Sequence, residues 1–374
     1  MVKRLNDALT ALEQIAPLRF AESWDKVGLL IDKGKRGPLR CVFLCIDLTE
    51  PVLEEAKSAK AQLIVAYHPP IFEALGRLTR STPNERIAAD ALAAGIAVYS
   101  PHTALDAAPG GVNDWLAAAF EAREVRPLQT KSELASGQDA KVVVFVPDSA
   151  APAIRKALSD CGAGRIGAYE SCSFSTPGRG SFRGLKDSRP TIGKKGRLEE
   201  VDELRLEMVC SLADLPKIQE AIKGAHPYEE PAWEVYPLAA RPLADTGMGR
   251  FVELSQPATL DVLVKRVKKH LGLKRLRLAA SPAHRDGELI RSVALCAGAG
   301  GSVLANCAAD LYLSGEMRHH DALAALAAGR SVLLGEHSNT ERGYLPHLKK
   351  AMAKELKGVA IEISKLDRDP FEII

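Results

Sequence analysis

Short apolar runs that stop at a histidine or a carboxylate constrain this chain more than any other feature. AQLIVAY runs into His68, IAVYS is followed by His102 and Asp106, and SVLLG by His337 and Glu341. Such runs predict short buried strands, and a sheet delivers successive strand ends to one rim. Ligands far apart in sequence then converge. Imidazole nitrogens and carboxylate oxygens together suit zinc, manganese, iron, nickel or cobalt better than calcium or magnesium, and a carboxylate readily bridges two ions. Asp106 and Glu341 are the candidate bridges. A lone histidine at a strand end is commonly a hydrogen-bonded structural group; recurrence at three strand ends points instead to one polynuclear site.

The runs CVFLCIDL, AQLIVAYH and IAVYS alternate with helical stretches around residues 50–60, 83–94 and 111–122, the pattern of βαβ units in a largely parallel sheet. After EVRPLQTKSELASGQDA the grammar resets. VVVFVP, a helix over 149–161, GAYESCSFS and LRLEMVCSL read as an α+β insert, within which GRGSFRG is expected to be a mobile loop. From GMGRFVEL onward the α/β alternation returns through SVALCAGAGGS, DLYLSGE, SVLLGEH and GVAIEI. The metal site is therefore expected where two core halves meet. AQLIVAYHPP and SVLLGEHSNT share a strand-then-histidine design that hints at a duplicated half.

Length and charge exclude several classes. The 374 residues, 46% hydrophobic, are enough for two or three cores, and disorder is excluded over most of the chain. A net charge of +3 from 50 basic and 47 acidic side chains gives no general case for nucleic-acid or anionic-membrane binding. Seven cysteines without a CxxC pair fit a reducing, cytoplasmic compartment. The opening VKRLNDALTALEQIAP puts Val2, Leu5, Leu9, Leu12 and Ile15 on one helical face and carries two acids, so it is expected to be a packed helix, neither a signal peptide nor a membrane span. Through LDVLVKRVKKHL the apolar residues Leu260, Leu263, Val264, Val267 and Leu271 fall at helical spacing, and the charges of the basic run KRVKKHLGLKRLRL read as a solvated face.

The segments YHPPIF, YSPHTALDAAPGGVNDWLA and GEHSNTERGYL resemble signatures of the Nif-three-like dinuclear metal protein family, often labelled GTP cyclohydrolase type-two homologues. The similarity runs from ESWDKVGLL to the C-terminal helix. It implies a toroidal homohexamer with two divalent transition-metal ions per subunit, held at His68, Asp106, His337 and Glu341, with His102 a further candidate. It also implies an α/β fold: a two-half α/β/α core from residues 1–128 and 246–374, with an inserted α+β ferredoxin-like domain, similar to PII or CutA, over residues 129–245. One departure matters. Many bacterial members have two successive histidines before the proline, where this chain has Tyr67 and His68, as in the longer, eukaryotic-type branch. A neutral phenol with a pKa near 10 is a poor ligand, so Tyr67 is expected to hold a water or a neighbouring carboxylate, and the second metal position to be partly filled.

Other segments supply candidate partners for such a site. The loop Gly298–Ser302 follows a strand and precedes a helical run, so its N–H groups suit a phosphate, with Gly300 and Ser302 as substrate-binding candidates. It lacks the lysine of a P-loop, and small residues also serve tight turns for steric reasons. The run SGEMRHHDAL, similar to one in the family, offers Glu316 and His320; Glu341 and His320 are the candidates for general acid–base work. Asp25 reads as a polar group on the cleft rim or a turn, beside Lys26 where the family usually has asparagine. Asp114 reads as an orienting partner of a ligand histidine or as a helix N-terminal acid. His226, beside Glu229 and Glu230, reads as part of a rigid turn. Together these imply a metal-dependent hydrolase of a nucleotide or phosphoester, GTP cyclohydrolase-like or a phosphoesterase. The alternative is a non-catalytic metal-binding scaffold or effector-sensing protein, and nucleic acid is not an expected partner.

Overall fold

The computed structural model describes residues 2–32, 34 and 37–372. In chain order its strands are β1 (Gly28–Ile31), β2 (Cys41–Cys45), β3 (Leu63–Ala66), β4 (Ala97–Ser100) and β5 (Ala122–Glu133). There follow β6 (Ala140–Val146), β7 (Phe174–Arg183), β8 (Leu198–Cys210) and β9 (Trp233–Pro237). The last are β10 (Arg241–Ala258), β11 (Arg277–Ala279), β12 (Ile290–Cys296), β13 (Leu311–Ser314), β14 (Ser331–Leu334) and β15 (Ala360–Ile363). The chain divides into two compact units, Met1–Lys131 with Leu243–Ile374, and Ser132–Pro242.

The first unit holds two sheets. One runs β1-β4-β3-β2-β15, with β4, β3, β2 and β15 parallel neighbours and β1 antiparallel at the edge. Every residue of β2, β3 and β4 is buried, as parallel strands covered on both faces require. The other runs β11-β14-β13-β12-β10-β5, with β12, β13 and β14 parallel and β11 antiparallel to β14. The first sheet thus has four parallel strands and the second three, each run ending beside an antiparallel edge strand. This equates β4 with β14, which corrects the pairing of AQLIVAYHPP (β3) with SVLLGEHSNT (β14) expected from the sequence. The equivalence extends past the strands: His102 and Asp106 after β4, and His337 and Glu341 after β14, have the same four-residue spacing.

Alternate residues of the two sheets, among them Val42, Leu44, Val65, Leu295, Leu313 and Leu333, enter one shared core with the helices Leu5–Ile15, Leu260–Leu271 and Leu345–Glu355. The opposite face of the first sheet packs Phe43, Ile64 and Val98 on helices Glu50–Ser58 and Pro83–Ala94. That of the second packs Tyr312 and Val332 with Ala325 of helix His319–Ala327. Helix Pro83–Ala94 illustrates how local sequence sets the bounds. The Thr82 side chain accepts from the Glu85 N–H, proline opens the first turn, and Gly95 at φ +67° ends it. In Leu260–Leu271 the apolar stripe buries Leu260, Leu263 and Val267, and Lys268, Lys269 and His270 fall in the last turn, where the helix dipole favours cations.

Three local expectations are corrected. Val2 is exposed, because the first helix begins at Leu5. The helical stretch expected near 111–122 holds one six-residue helix, Val112–Ala117, which starts just after the backbone turns through Gly110 at φ +70°, and β5 begins at Ala122. GRGSFRG is no loop: it lies in β7, where Gly178, Gly180 and Phe182 pair with Glu203, Val201 and Glu199 of β8. A ten-residue partner ladder outweighs the weak strand propensity of glycine.

The second unit is an antiparallel sheet ordered β7-β8-β6-β9. Helix Ala151–Asp160 follows β6 and helix Leu215–Ala225 follows β8, a βαββαβ succession whose core includes Val142, Val144, Leu206, Ile154 and Ile218. His226 caps the second helix, its Nε2 donating to the Phe145 carbonyl at 2.9 Å and its Nδ1 accepting from the Tyr228 N–H at 3.1 Å. All seven cysteines are free. No helix among the described residues is long and apolar enough to cross a membrane.

Candidate metal centre

The β2–β3 ladder continues one step beyond the strands, with the Tyr67 N–H donating to the Cys45 carbonyl at 2.9 Å and the His68 N–H to Ile46 at 3.0 Å. That fixes where the two rings leave the sheet. On the other side the Thr340 hydroxyl donates to the His337 carbonyl at 2.7 Å and accepts from the Gly298 N–H at 2.9 Å, tying the β14 end to the glycine loop after β12. The two core halves thereby bring His68, His337 and Glu341 together, one ligand atom from each lying within 4.8 Å of the others. Nε2 of His68 is 3.5 Å from Oε2 of Glu341, and Nε2 of His337 is 3.4 Å from Oε1.

Each histidine of the region is held from behind by a carboxylate. Nδ1 of His68 pairs with Asp47 at 2.9 Å, Nδ1 of His102 with Asp25 at 2.8 Å, and Nδ1 of His337 with Glu316. That arrangement fixes tautomer and ring orientation and raises the basicity of the outward nitrogen, as it does behind metal-binding histidines. For His68, burial favours the neutral ring, but the Asp47 and Glu341 carboxylates outweigh it and carry its pKa to about 10. Burial alone would raise Asp25 and Asp47; their histidine partners reverse this and hold both below the usual carboxylate range.

The residues fit a cation on three counts. Glu341 is only 2% exposed, and its Oε2 makes no close hydrogen bond, its imidazole partner His68 standing 3.5 Å away. The bare α-carbon of Gly298 leaves a cradle: a Cβ there would lie 2.6 Å from Oε1 of Glu341 and 3.0 Å from Nε2 of His337. Two imidazoles and a carboxylate are the donor set of zinc and its neighbours.

His102 and Asp106 flank this group without belonging to it. The His102 ring is centred 5.3 Å from that of His68, as is the His337 ring on its side. His102 has φ +29°, in the left-handed region that costs a non-glycine residue about 1–3 kcal/mol, and its Asp25 anchor helps hold it there. Asp106 is buried and accepts the Tyr67 hydroxyl proton. Burial pushes Asp106 up to about 6 against the opposing pull of that bond and of His102. Burial, aided by the Asp106 and Glu341 carboxylates, drives the Tyr67 phenol well above its ordinary value, so Tyr67 is a proton donor at neutral pH.

The remaining candidates scatter. Asp25 is wholly buried and works through His102 and Thr103, both of whose N–H or hydroxyl groups it accepts. The Gly300 N–H donates to Ser314 Oγ at 3.1 Å, and Ser302 is exposed in the short helix Gly301–Leu304. His320 is exposed at the start of helix His319–Ala327, edge-on to His319. Asp114 orients no ligand histidine; it pairs with Arg250, which is 1% exposed and also donates to the carbonyls of Gly247, Gly249 and Ala108. Sequence reasoning passed over Asp47, although it too stands just past a buried run, and over Asn113, which joins the Asp106 carbonyl to the Ala297 N–H.

Fold and site together define a mixed α/β protein with a candidate transition-metal centre. The chain belongs to the Duf34/NIF3 (NGG1p interacting factor 3) family, whose model matches residues 3–370. NIF3-like protein 1 of Bos taurus is 36% identical over 378 residues, covering 99% of this chain and 92% of the relative. A GTP cyclohydrolase 1 type 2 homolog of Bacillus subtilis (strain 168) is 34% identical, with all of both chains covered. Among solved structures, a Bacillus cereus protein related to NIF3 is similar at TM-score 0.66 and 32% identity, with all of both chains covered. Staphylococcus aureus protein SA1388 is similar at TM-score 0.77 and 25% identity, over all of this chain and 99% of that one.

Proposed function

We propose that this chain is a dinuclear metal-dependent hydrolase acting on a nucleotide or phosphoester. The observation that carries the reading is the buried Glu341 carboxylate, whose oxygens stand 3.4–3.5 Å from two imidazoles that are each tied to an acid on the far side. His68, His337 and Glu341 would hold one ion; His102 and Asp106 would contribute to a second, partly filled position, since Tyr67 engages Asp106. Ions held there would supply polarisation of a substrate oxygen and a water whose pKa is lowered to about 7. The protein's own part is to fix ring orientation through Asp47, Asp25 and Glu316, and to keep a protonated Tyr67 against Asp106. In this reading Glu341 and His320 handle protons, Gly300 and Ser302 line the substrate side, and Asp25, proposed from the sequence as a substrate contact, acts instead through His102.

The same reading takes residues 1–128 and 246–374 as the family core and 129–245 as a PII/CutA-like insert, with the subunits assembled as a homohexamer. The βαββαβ succession and the strand order β7-β8-β6-β9 of the second unit support a ferredoxin-like insert.

Metal content per chain by elemental analysis, on wild type and Glu341→Gln, followed by turnover of nucleotides and phosphoesters, tests it. Transition ions lost in the variant together with hydrolysis support the enzyme. Less than one ion, unchanged by the variant, overturns the metal centre.

A second reading, effector sensing, has one specific observation in its favour. The second unit contains a cavity of about 590 Å³ lined by Phe145, Phe182, Tyr228, Arg183 and Arg189, within the size range of small-molecule sites. Bound metal without turnover of any such substrate would favour it.

A further inference from the structure

We propose that Trp24 and Phe72 form a ring-binding subsite beside the metal centre, where a planar heterocycle such as a nucleobase stacks while the oxygen group it carries reaches the His68–His337–Glu341 cluster. The proposal rests on the hydrolase reading and narrows its substrate to compounds that contain a flat ring.

Trp24 is 54% exposed and Phe72 40% exposed, in a chain otherwise poor in aromatic residues. Their ring centroids are 6.2 Å apart at 58°, a tilted pair in which both side chains remain exposed. Trp24 stands edge-on to His102 at 6.1 Å, and His102 in turn is 5.3 Å from His68. Trp24 is therefore one side chain, His102, removed from His68, and Phe72 stands behind Trp24.

The backbone that carries each ring is anchored by its neighbours. Next to Trp24, the buried Asp25 carboxylate is fixed by His102 and by the Thr103 N–H at 3.1 Å, and the Asp25 N–H donates to the Glu22 carbonyl at 3.0 Å. Glu22 is itself pinned by the Thr103 hydroxyl, which accepts its N–H at 3.0 Å, and by the Lys131 ammonium at 2.7 Å. Phe72 follows Ile71, which packs against the core of the first sheet, four residues after His68. An exposed tryptophan on an anchored backbone suits stacking, because every nucleobase offers a π-face whatever its edge. Two rings are also far too small a patch for a stable protein contact, which needs roughly 800 Å² per partner.

The test is calorimetric titration of metal-loaded protein with guanosine 5′-monophosphate and with ribose 5-phosphate, on wild type, Trp24→Ala and Trp24→Phe. The expected result is tighter binding of the nucleotide than of the sugar phosphate by about tenfold. Trp24→Ala erases that preference and leaves the sugar phosphate unchanged, whereas Trp24→Phe keeps most of it. Equal binding of the two ligands by wild type, or an unchanged preference in Trp24→Ala, overturns the subsite. Metal content measured on the same samples separates the two ideas: bound metal without a base preference sinks the subsite alone, and absence of metal sinks the hydrolase reading. Loss of solution mass in Trp24→Ala with the ligand preference intact assigns the rings to a subunit contact and overturns the proposal.

Discussion

The Asp47 carboxylate takes the Nδ1 side of His68 at 2.9 Å, leaving Nε2 to face Glu341. Removing such a partner from behind a ligand histidine typically weakens metal binding about 10–100-fold. Asp47→Ala is expected to do so while the fold stays intact, since the Asp47 side chain is 38% exposed. Competition against a chromophoric chelator reads the change. Unaltered affinity would mean that the ring is oriented by something other than Asp47.

Gly298 is required by geometry on both sides of its α-carbon. Its φ of +59° costs an L-residue about 1–2 kcal/mol, and an added Cβ would press on Glu341 and His337. Gly298→Ala should therefore lower thermal stability modestly and strip metal from the protein to a much greater degree. Parallel melting curves and elemental analysis check this; a variant that melts early but retains its full metal content would contradict the cradle.

How much of this was legible in sequence depends on the range of the signal. His68, His337 and Glu341 announce themselves because each stands just past a fully buried run, and burial of strands is written into consecutive residues. The partner of each is another matter. Asp47 lies 21 residues from His68 and Glu316 lies 21 from His337, and those pairings exist only through the neighbouring strands β2 and β3, or β13 and β14. Arg250 and Asp114 are 136 residues apart. The halves misaligned in sequence for the same reason: β3 and β14 both precede a histidine, but their places in the two sheets differ, and only strand order equates β4 with β14. GRGSFRG was misread because nothing local in a glycine-rich segment reveals the ladder that β8 supplies.

Arg250 predicts a large stability effect remote from any chemistry. Its guanidinium is buried against Asp114 and donates to three carbonyls, so truncation leaves several acceptors without a donor. Breaking a buried pair from one side costs about 3–5 kcal/mol. Arg250→Ala is expected to lose about 3 kcal/mol, and Arg250→Lys to recover only part of it, because an ammonium cannot reproduce the fork. A urea titration showing a shift below 1 kcal/mol for Arg250→Ala would refute this account of the pair.

His226 predicts the pH dependence of the second unit. Burial holds its pKa below the ordinary value, outweighing the Phe145 carbonyl, and both nitrogens are committed: Nε2–H donates to Phe145 while Nδ1 accepts from Tyr228. A second proton would have to go on Nδ1 and would displace that acceptor. The unfolded chain, with a histidine near 6.5, binds the proton first, so its proton count exceeds that of the folded state in the interval between the depressed folded value and about 6.5. Stability should therefore be at its full value above about 6.5, fall as pH drops through that window, and level off below the folded pKa. The nine histidines of the chain all contribute to a raw profile, which makes the difference between wild type and His226→Gln the informative quantity. Glutamine can still donate to Phe145 but does not titrate, so the variant should start less stable at pH 8 and approach the wild type as pH falls. A constant gap from pH 8 to pH 5 would mean that His226 is not held neutral by its burial.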